Sequence, residues 1–388
     1  MVALLNAPWM TWPGLRLIAQ TLGPAEVRAV GGAVRDTISG QSVTDIDLAT
    51  RLSPQDVVAR LETVGIKTIP TGIAHGTVTA VSAEGPIEIT TLRRDVSTDG
   101  RRATVAFTDD WREDAARRDF TINALYADLE SGEIFDYFGG VDDLNAGRVA
   151  FIGAPLARIA EDHLRILRFF RFQARFGRGT PDAASLAACT ARANDLMALS
   201  RERIADELLK LLALDAPAPT MALMLASGIW KPVLPELTTA DALLSLTEPD
   251  AVRRLASLLP PNPAIADTVA KRLKLSKAIN KRLVLAAGRG EGDAANPRAL
   301  AYRHGIEGAR DRLILLGEGE ALKQLDGWTV PNLPISGGAL VKRGIAAGPD
   351  VAHLLKLIEE QWISEGFPNA ARVEAIADEV VTSAHRSI

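Results

Sequence analysis

The chain has a single cysteine, Cys189, among 388 residues. An intramolecular disulfide and any cysteine zinc cluster are thereby excluded, and a reducing compartment, the cytoplasm, is expected. As a lone thiol, Cys189 reads as a small buried apolar residue. Histidines are few, and none of them is followed by aspartate, so the His-Asp pair of a fused phosphohydrolase is absent. No apolar run approaches the roughly 18–20 residues that span a bilayer. Pro8, Trp9, Trp12 and Pro13 interrupt the first segment where a signal sequence would need an unbroken apolar stretch. A soluble, intracellular protein without membrane contact is expected. The chain also lacks the basic excess common in nucleic-acid binders, with a net charge of −4. Its tryptophans are scattered and read as packing residues, not as a stacking platform.

What is present is ordinary for a core-forming protein: 47% apolar and 24% charged residues. At roughly 150 residues per domain, two or three domains are expected. Charge is unevenly spread. Residues 158–178 are arginine-rich, and residues 271–289 are basic and free of acid. In the second stretch Lys271, Lys274, Lys277 and Lys281 keep roughly helical spacing, which suits contacts to RNA phosphates. A solvated helix face is the plainer reading.

The first part of the chain reads as strand-rich. A short strand at 27–30 runs into Gly31-Gly32, and a second strand carries Asp45 and Asp47. Ser53-Pro54-Gln55-Asp56 opens a helix, with serine as N-cap and proline at the first position. Strands follow at 67–69, 77–81 and 87–91, then a polar loop at 93–104 that reads as mobile. A helix is expected from about 110 through 123, then a strand pair at 126–129 and 133–135. Gly139-Gly140 marks a boundary. After Ala154-Pro155 helical periodicity takes over. Helices are expected at 158–176 (stopped by Gly177), 200–214, 220–227, 250–259, 266–288, 298–324 and 350–365. The fold class is α+β, a strand-rich head on an all-helical body.

Asp45 and Asp47 at i and i+2 of a strand point to one face. Adjacent carboxylates repel unless a cation lies between them, and a hard divalent ion such as Mg²⁺ suits the pair. The glycines at 31 and 32 allow backbone N–H groups to approach an anion closely. Glu88, between Ile87 and Ile89, supplies a third carboxylate from a neighbouring strand. Three such groups can hold two Mg²⁺ ions that activate a hydroxyl and steady a triphosphate. Arg35, next to Asp36, suits a phosphate contact, with a surface ion pair as its plainer reading. The third glycine of a dinucleotide fingerprint and the Gly-Lys-Ser/Thr of a P-loop are both missing. His75 and His163 read as structural, since a metal-activated hydroxyl needs no histidine.

Together, Gly31-Gly32-Ala33-Val34-Arg35-Asp36 and Asp45-Ile46-Asp47-Leu48-Ala49-Thr50 resemble the first motif of the class II tRNA nucleotidyltransferases. Arg117-Arg118-Asp119-Phe120-Thr121-Ile122-Asn123 resembles that family's ribose motif, and Glu161-Asp162-His163-Leu164-Arg165 its base-selecting motif. Residues 200–208, beginning Ser200-Arg201-Glu202-Arg203, resemble its later helical motif. The likeness covers about residues 28–210 and is loose beyond.

The resemblance implies a polymerase-β-like nucleotidyltransferase palm with a mixed sheet at 1–140. A helical neck that selects the base would follow at 141–215, then a helical body and tail that bind tRNA at 216–388. It implies addition of C, C and A to the tRNA 3′ end from CTP and ATP, with Asp45, Asp47 and Glu88 catalytic and the two aspartates holding metal. Gly31, Gly32 and Arg35 would take the phosphates, and Arg118, Asp119 and Asn123 the ribose. Asp162, Arg165 and Arg168 would meet the base, and the lysines from 271 the acceptor stem. Asp162 and Arg165 are three apart and so share a face of the expected helix. A carboxylate accepts from the exocyclic amine of cytosine or adenine, while arginine donates to the adjacent ring nitrogen. Uracil and guanine reverse that pattern. A bacterial poly(A) polymerase, a C-only or A-only enzyme and a non-catalytic RNA-binding protein are the rival readings. Against the first, Thr71-Gly72-Ile73-Ala74-His75-Gly76-Thr77 replaces the Gly-Arg-Arg-Phe type segment of the polymerases.

Overall fold

The computed structural model describes residues 7–98 and 103–386. The chain forms two compact units, Met1–Leu244 and Ser245–Ile388.

A seven-stranded sheet organises the first unit. Its strands are β1 (Val27–Val30), β2 (Asp47–Thr50), β3 (Thr68–Gly72), β4 (Thr77–Ser82) and β5 (Gly85–Thr91). A separate hairpin, β6 (Arg93–Thr98) and β7 (Ala103–Phe107), precedes β8 (Leu125–Ala127) and β9 (Ile134–Asp136). The order is β3-β4-β5-β2-β1-β8-β9, with β2 and β5 parallel and the other neighbours antiparallel. The mixed sheet expected from the sequence is present.

Alternation decides the two faces. Ile87 and Ile89 are buried and Glu88 between them is exposed. On the inner face Val27, Ala29, Leu48, Ile87 and Ile89 form one core with Leu15, Ile18 and Leu22 of helix α1 (Pro13–Leu22). After α2 (Gly32–Ile38), helix α3 (Pro54–Thr63) adds Val57 and Leu61 to that core. Burying each such Leu or Ile side chain contributes about 1.5–3 kcal/mol. The Ser53 cap is as expected: its Oγ accepts the Asp56 N–H at 3.1 Å.

Cross-strand partners share a face, so the register defines a row on the other side. Glu88 pairs with Asp47, Asp47 with Val30, Val30 with Tyr126, and Tyr126 with Phe135. Under Tyr126 lies Trp111 of α4 (Trp111–Ala116), edge-on with ring centroids 5.6 Å apart. Beyond the sheet follow α5 (Gly140–Ala146), α6 (Pro155–Glu161), α7 (Arg165–Phe176), α8 (Ala183–Ala191), α9 (Arg201–Leu212) and α10 (Ala218–Ala226).

Four expectations are corrected here. Asp45 precedes β2, which begins only at Asp47. The 93–104 segment is not a plain loop, because β6 and β7 pair from Arg93 with Phe107 onward; residues 99–102 lie outside the described residues. The helix from 110 stops at Ala116. Phe120 is then drawn out of helical geometry into a bridge with Phe151 and packs on Phe169 and Phe172, leaving one short turn at Thr121–Asn123. The helix from 158 to 176 is two helices, broken at Asp162, where φ is −151° and ψ is 109°.

The second unit is helical: α11 (Ala251–Leu258), α12 (Pro263–Arg272), α13 (Lys277–Ala287) and α14 (Pro297–Leu316), the last kinked at Gly305. Short α15 (Gly319–Lys323) and α16 (Gly337–Val341) lead to α17 (Pro349–Ser364) and α18 (Ala370–Arg386). The expected continuous helix at 266–288 is interrupted. Lys274 takes φ 52°, and Ser276 caps a fresh start at α13. The lysine series therefore forms no single stripe. Lys271 ends α12 in an ion pair with Asp267, while exposed Lys277 and Lys281 lie one turn apart on α13.

At the heart of this unit Asp311, fully buried, receives Arg253 Nε at 2.8 Å and Arg282 Nε at 2.7 Å. Breaking a buried pair leaves uncompensated charge, at a cost of about 3–5 kcal/mol. Asp311→Ala is expected to lower stability by that amount in chemical denaturation, and a loss below about 1 kcal/mol would show that the guanidinia find other partners.

Candidate active site

One cavity of about 480 Å³ gathers most of the expected site residues. Gly31, Gly32 and Arg35 line it, as do Asp47, Arg118, Asp119, Asn123, Asp162, Arg165 and Arg168. Asp45 and Glu88 are not among its lining residues, while Arg93, Arg117 and Phe172 are, without a role having been expected of them. The lysines from 271 belong to the second unit.

Gly31 adopts φ 70°, a left-handed conformation that favours glycine. A Cβ there would lie 3.5 Å from Arg118 Nη1 and 3.6 Å from the Asn123 carbonyl oxygen. The strand-to-helix turn thus brings bare backbone up to a guanidinium.

Asp47 sits at the start of β2 with Glu88 beside it in register. Solvent reaches Asp47, yet surrounding protein is the first cause that raises its pKa; Glu88 adds to the shift, Arg118 opposes it and Asp45 adds again. Carboxylates that crowd one another in this way, offering hard oxygen donors, fit a divalent cation. Among the described residues no group of three acidic, histidine or cysteine side chains stands ready as a metal site. Asp45 lies just outside the strand and accepts from the Thr44 hydroxyl at 3.2 Å.

The sequence reading missed Asp114, which looks like a surface acid in a charged helix turn. Its side chain is 1% exposed and accepts from Arg117 Nε at 2.8 Å, Arg118 Nη2 at 3.2 Å, the Tyr126 hydroxyl at 2.6 Å and the Arg93 N–H at 3.2 Å. Burial pushes this carboxyl up, but Arg118, Arg117 and the Tyr126 hydroxyl outweigh it and hold it at about 2. Burial likewise pushes the Tyr126 hydroxyl well above its usual range. Asp114 thereby aims Arg118, whose Nε also donates to the Tyr126 oxygen at 3.1 Å.

Asp119 is almost fully enclosed. Its Oδ1 accepts from the Phe120 N–H at 2.8 Å and Asn123 Nδ2 at 3.0 Å, and its Oδ2 accepts from Arg168 Nε at 2.7 Å. Burial raises its pKa, but Arg168 and these donors reverse the shift. Arg35 lines the cavity from within a polar and aromatic cluster. It is 6% exposed, donates to Asp36 and to Asn123 Oδ1, and lies over the rings of Phe172 and Phe176. From the wall of the cavity it supports Asn123, with Nε and Nη1 engaged by Asp36 and Asn123.

Also lining the cavity, Asp162 and Arg165 do not share a helix. Asp162 accepts from Arg203 Nη2 at 2.7 Å, a partner the sequence reading did not name. Arg165 donates to Glu161 and to the carbonyls of Arg158 and Arg117, at 3.0 and 3.1 Å.

Residues 27–150 match the Poly A polymerase head domain family, and residues 180–241 match the family described as Probable RNA and SrmB- binding site of polymerase A. CCA tRNA nucleotidyltransferase 1, mitochondrial, of Danio rerio is 34% identical over 93% of this chain and 88% of its own length. The CCA-adding enzyme of Levilactobacillus brevis is 31% identical over 94% of this chain and 97% of its own. The chain belongs to the CCA tRNA nucleotidyltransferase family.

The family fold agrees. The CCA-adding enzyme of Bacillus stearothermophilus, solved in complex with CTP, superposes with a TM-score of 0.79 at 24% identity, covering 97% of this chain and 100% of that one. The fold of this nucleotidyltransferase is thus a polymerase-β-like head followed by helices. No described helix is long and apolar enough to cross a membrane.

Because the pKa of Asp114 is depressed, its contribution to stability is complete above about 3.8 and lost as pH falls toward about 2. Asp114→Asn is expected to cost roughly 2 kcal/mol at pH 7, a gap that closes across that acidic window. Denaturant titrations at several pH values test this, and a pH-independent gap would reject it.

Proposed function

We propose that this protein adds C, C and A in turn to the 3′ end of tRNA, taking CTP and ATP and releasing pyrophosphate. One observation carries the reading: a single cavity is lined by the glycine turn, by Asp47 and by Asp162 and Arg165. Membership of the CCA tRNA nucleotidyltransferase family supports it. The cytoplasm is the proposed location, on the single cysteine; some relatives are named as mitochondrial.

The residues divide the work as follows. Asp45 and Asp47 hold Mg²⁺, with Glu88 one strand away as an additional acidic neighbour. When bound there, Mg²⁺ supplies charge neutralisation on the triphosphate and Lewis-acid assistance to the attacking hydroxyl. The backbone of Gly31 and Gly32 and the Arg118 guanidinium receive the phosphates, in keeping with the N–H and guanidinium chemistry that binds such anions. Asp119 and Asn123 orient Arg168 on the sugar side. Asp162 accepts from the exocyclic amine of cytosine or adenine, and Arg165 donates to the ring nitrogen next to it. The tRNA 3′ oxygen attacks the α-phosphorus, a P–O bond forms, and the bond to the leaving pyrophosphate breaks. Exposed Lys277 and Lys281 are offered to RNA phosphates of the acceptor stem.

Transcripts ending before the first C, after it, and after the second C test the reading with labelled CTP or ATP and Mg²⁺. Ordered addition that stops after A is expected, and Asp47→Ala should lower it by about 10³-fold or more. Long A tails on unrelated RNA would instead make the protein a poly(A) polymerase.

A further inference from the structure

Asp162 is not held in place by helix geometry. It follows the last turn of α6, and α7 starts only at Arg165. Two contacts fix its carboxylate: Oδ1 accepts from the Leu164 N–H at 3.0 Å and Oδ2 from Arg203 Nη2 at 2.7 Å. Arg203 stands in the first turn of α9, and its own N–H is capped by Ser200. One turn on, Glu207 of α9 grips Arg171 at 2.6 Å and lies 3.9 Å from Arg168. Residues four apart share a helical face. One side of α9 therefore holds both Asp162 and the arginines of α7.

The Arg203–Asp162 pair is partly open, with side chains 36% and 31% exposed. Pairs of this kind contribute only about 0–1 kcal/mol to stability. Their geometric effect is larger than their energetic one, because a bond to each oxygen fixes the plane and the lateral position of the carboxylate.

We propose that Arg203 is the positioning residue that sets the preference for cytosine over uracil, acting through Asp162; this rests on Asp162 reading the base. Cytosine places an amine donor at C4 beside an acceptor at N3. Uracil places an acceptor at C4 beside an N–H at N3. The two donors differ by one ring position. A carboxylate held opposite the C4 substituent accepts from cytosine and faces oxygen against oxygen with uracil. A carboxylate free to slide along the edge accepts from uracil N3–H, and the discrimination disappears. The Leu164 N–H alone is a hinge about which the group can swing, and the Arg203 guanidinium removes that swing. Lysine, a point charge without the planar fork, restores the attraction but only part of the direction.

The test compares wild type, Arg203→Ala, Arg203→Lys and Asp162→Ala. Single-turnover kcat/KM is measured for CTP and UTP on tRNA awaiting a C, alongside the thermal midpoint. Arg203→Ala is expected to narrow the CTP-over-UTP preference about tenfold or more, chiefly by admitting UTP. Its thermal midpoint should stay within about 3 °C of wild type. Arg203→Lys should recover part of the preference. Equal losses for both nucleotides in Arg203→Ala, with Asp162→Ala losing the preference, would overturn the role of Arg203 alone. A preference that survives in Asp162→Ala would overturn the base reading beneath it. If Arg203→Ala does not fold, Arg203→Lys decides: a narrowed preference at native stability supports the proposal, and an unchanged one rejects it.

Discussion

A carboxylate taken out of water must be surrounded by donors, and the walls of the cavity are built to that rule. Arg175 donates to Asp36 at 3.1 Å, and Asp36 also accepts from Arg35 at 2.8 Å. Arg35 reaches Asn123, and Asn123 donates to Asp119 at 3.0 Å. Asp119 receives Arg168 at 2.7 Å, and Arg168 leads on to Glu207 and Arg171. This chain of polar contacts runs from α2 beside the glycine turn to α9, whose Arg203 holds Asp162. Each charged member has an opposite charge or the Asn123 amide as its neighbour, so removing one leaves a partner short of a bond.

The apolar side of α7 supports the same chain. Its sequence interleaves arginines with phenylalanines, and Phe172 lies under Arg168 and Arg171 with ring-to-guanidinium distances of 5.3 and 4.6 Å. Phe172 and Phe176 similarly lie beneath Arg35. Aromatic faces attract cations and exclude water from their flank. The guanidinia are thus placed by packing as well as by charge.

Much of this was legible before the structure. The β-branched run at 77–81 and the apolar–polar–apolar alternation about Glu88 announce strands. The Ser53-Pro54 pair announces a helix start. Illegible were the points where a local tendency yields to a tertiary contact. Asp119 and Asn123 have helical spacing, yet Phe120 enters the aromatic core and breaks the helix, and the two side chains meet in a turn. Asp162 lies in a run of good helix formers, but its bond to Arg203 joins segments 41 residues apart, and spacing within one segment carries no trace of it. Asp114 was passed over for the same reason: nothing in Arg112-Glu113-Asp114 distinguishes the buried acid from its half-buried neighbour. The bond from Arg35 to Asn123 was illegible too, because it joins segments 88 residues apart.

The parallel ladder between β2 and β5 has a consequence for how the protein comes into being. Parallel strands cannot be joined by a tight turn, so Asp47 and Glu88 are brought together only after the intervening α3 and the β3–β4 hairpin exist. On its other side β2 leans on β1, which in turn awaits β8. Contacts of long sequence separation form late, since loop closure must precede them. The acidic end of the cavity is therefore a late product of synthesis. A nascent chain that has passed Glu88 but not reached Tyr126 carries both carboxylates without the full sheet that sets them side by side.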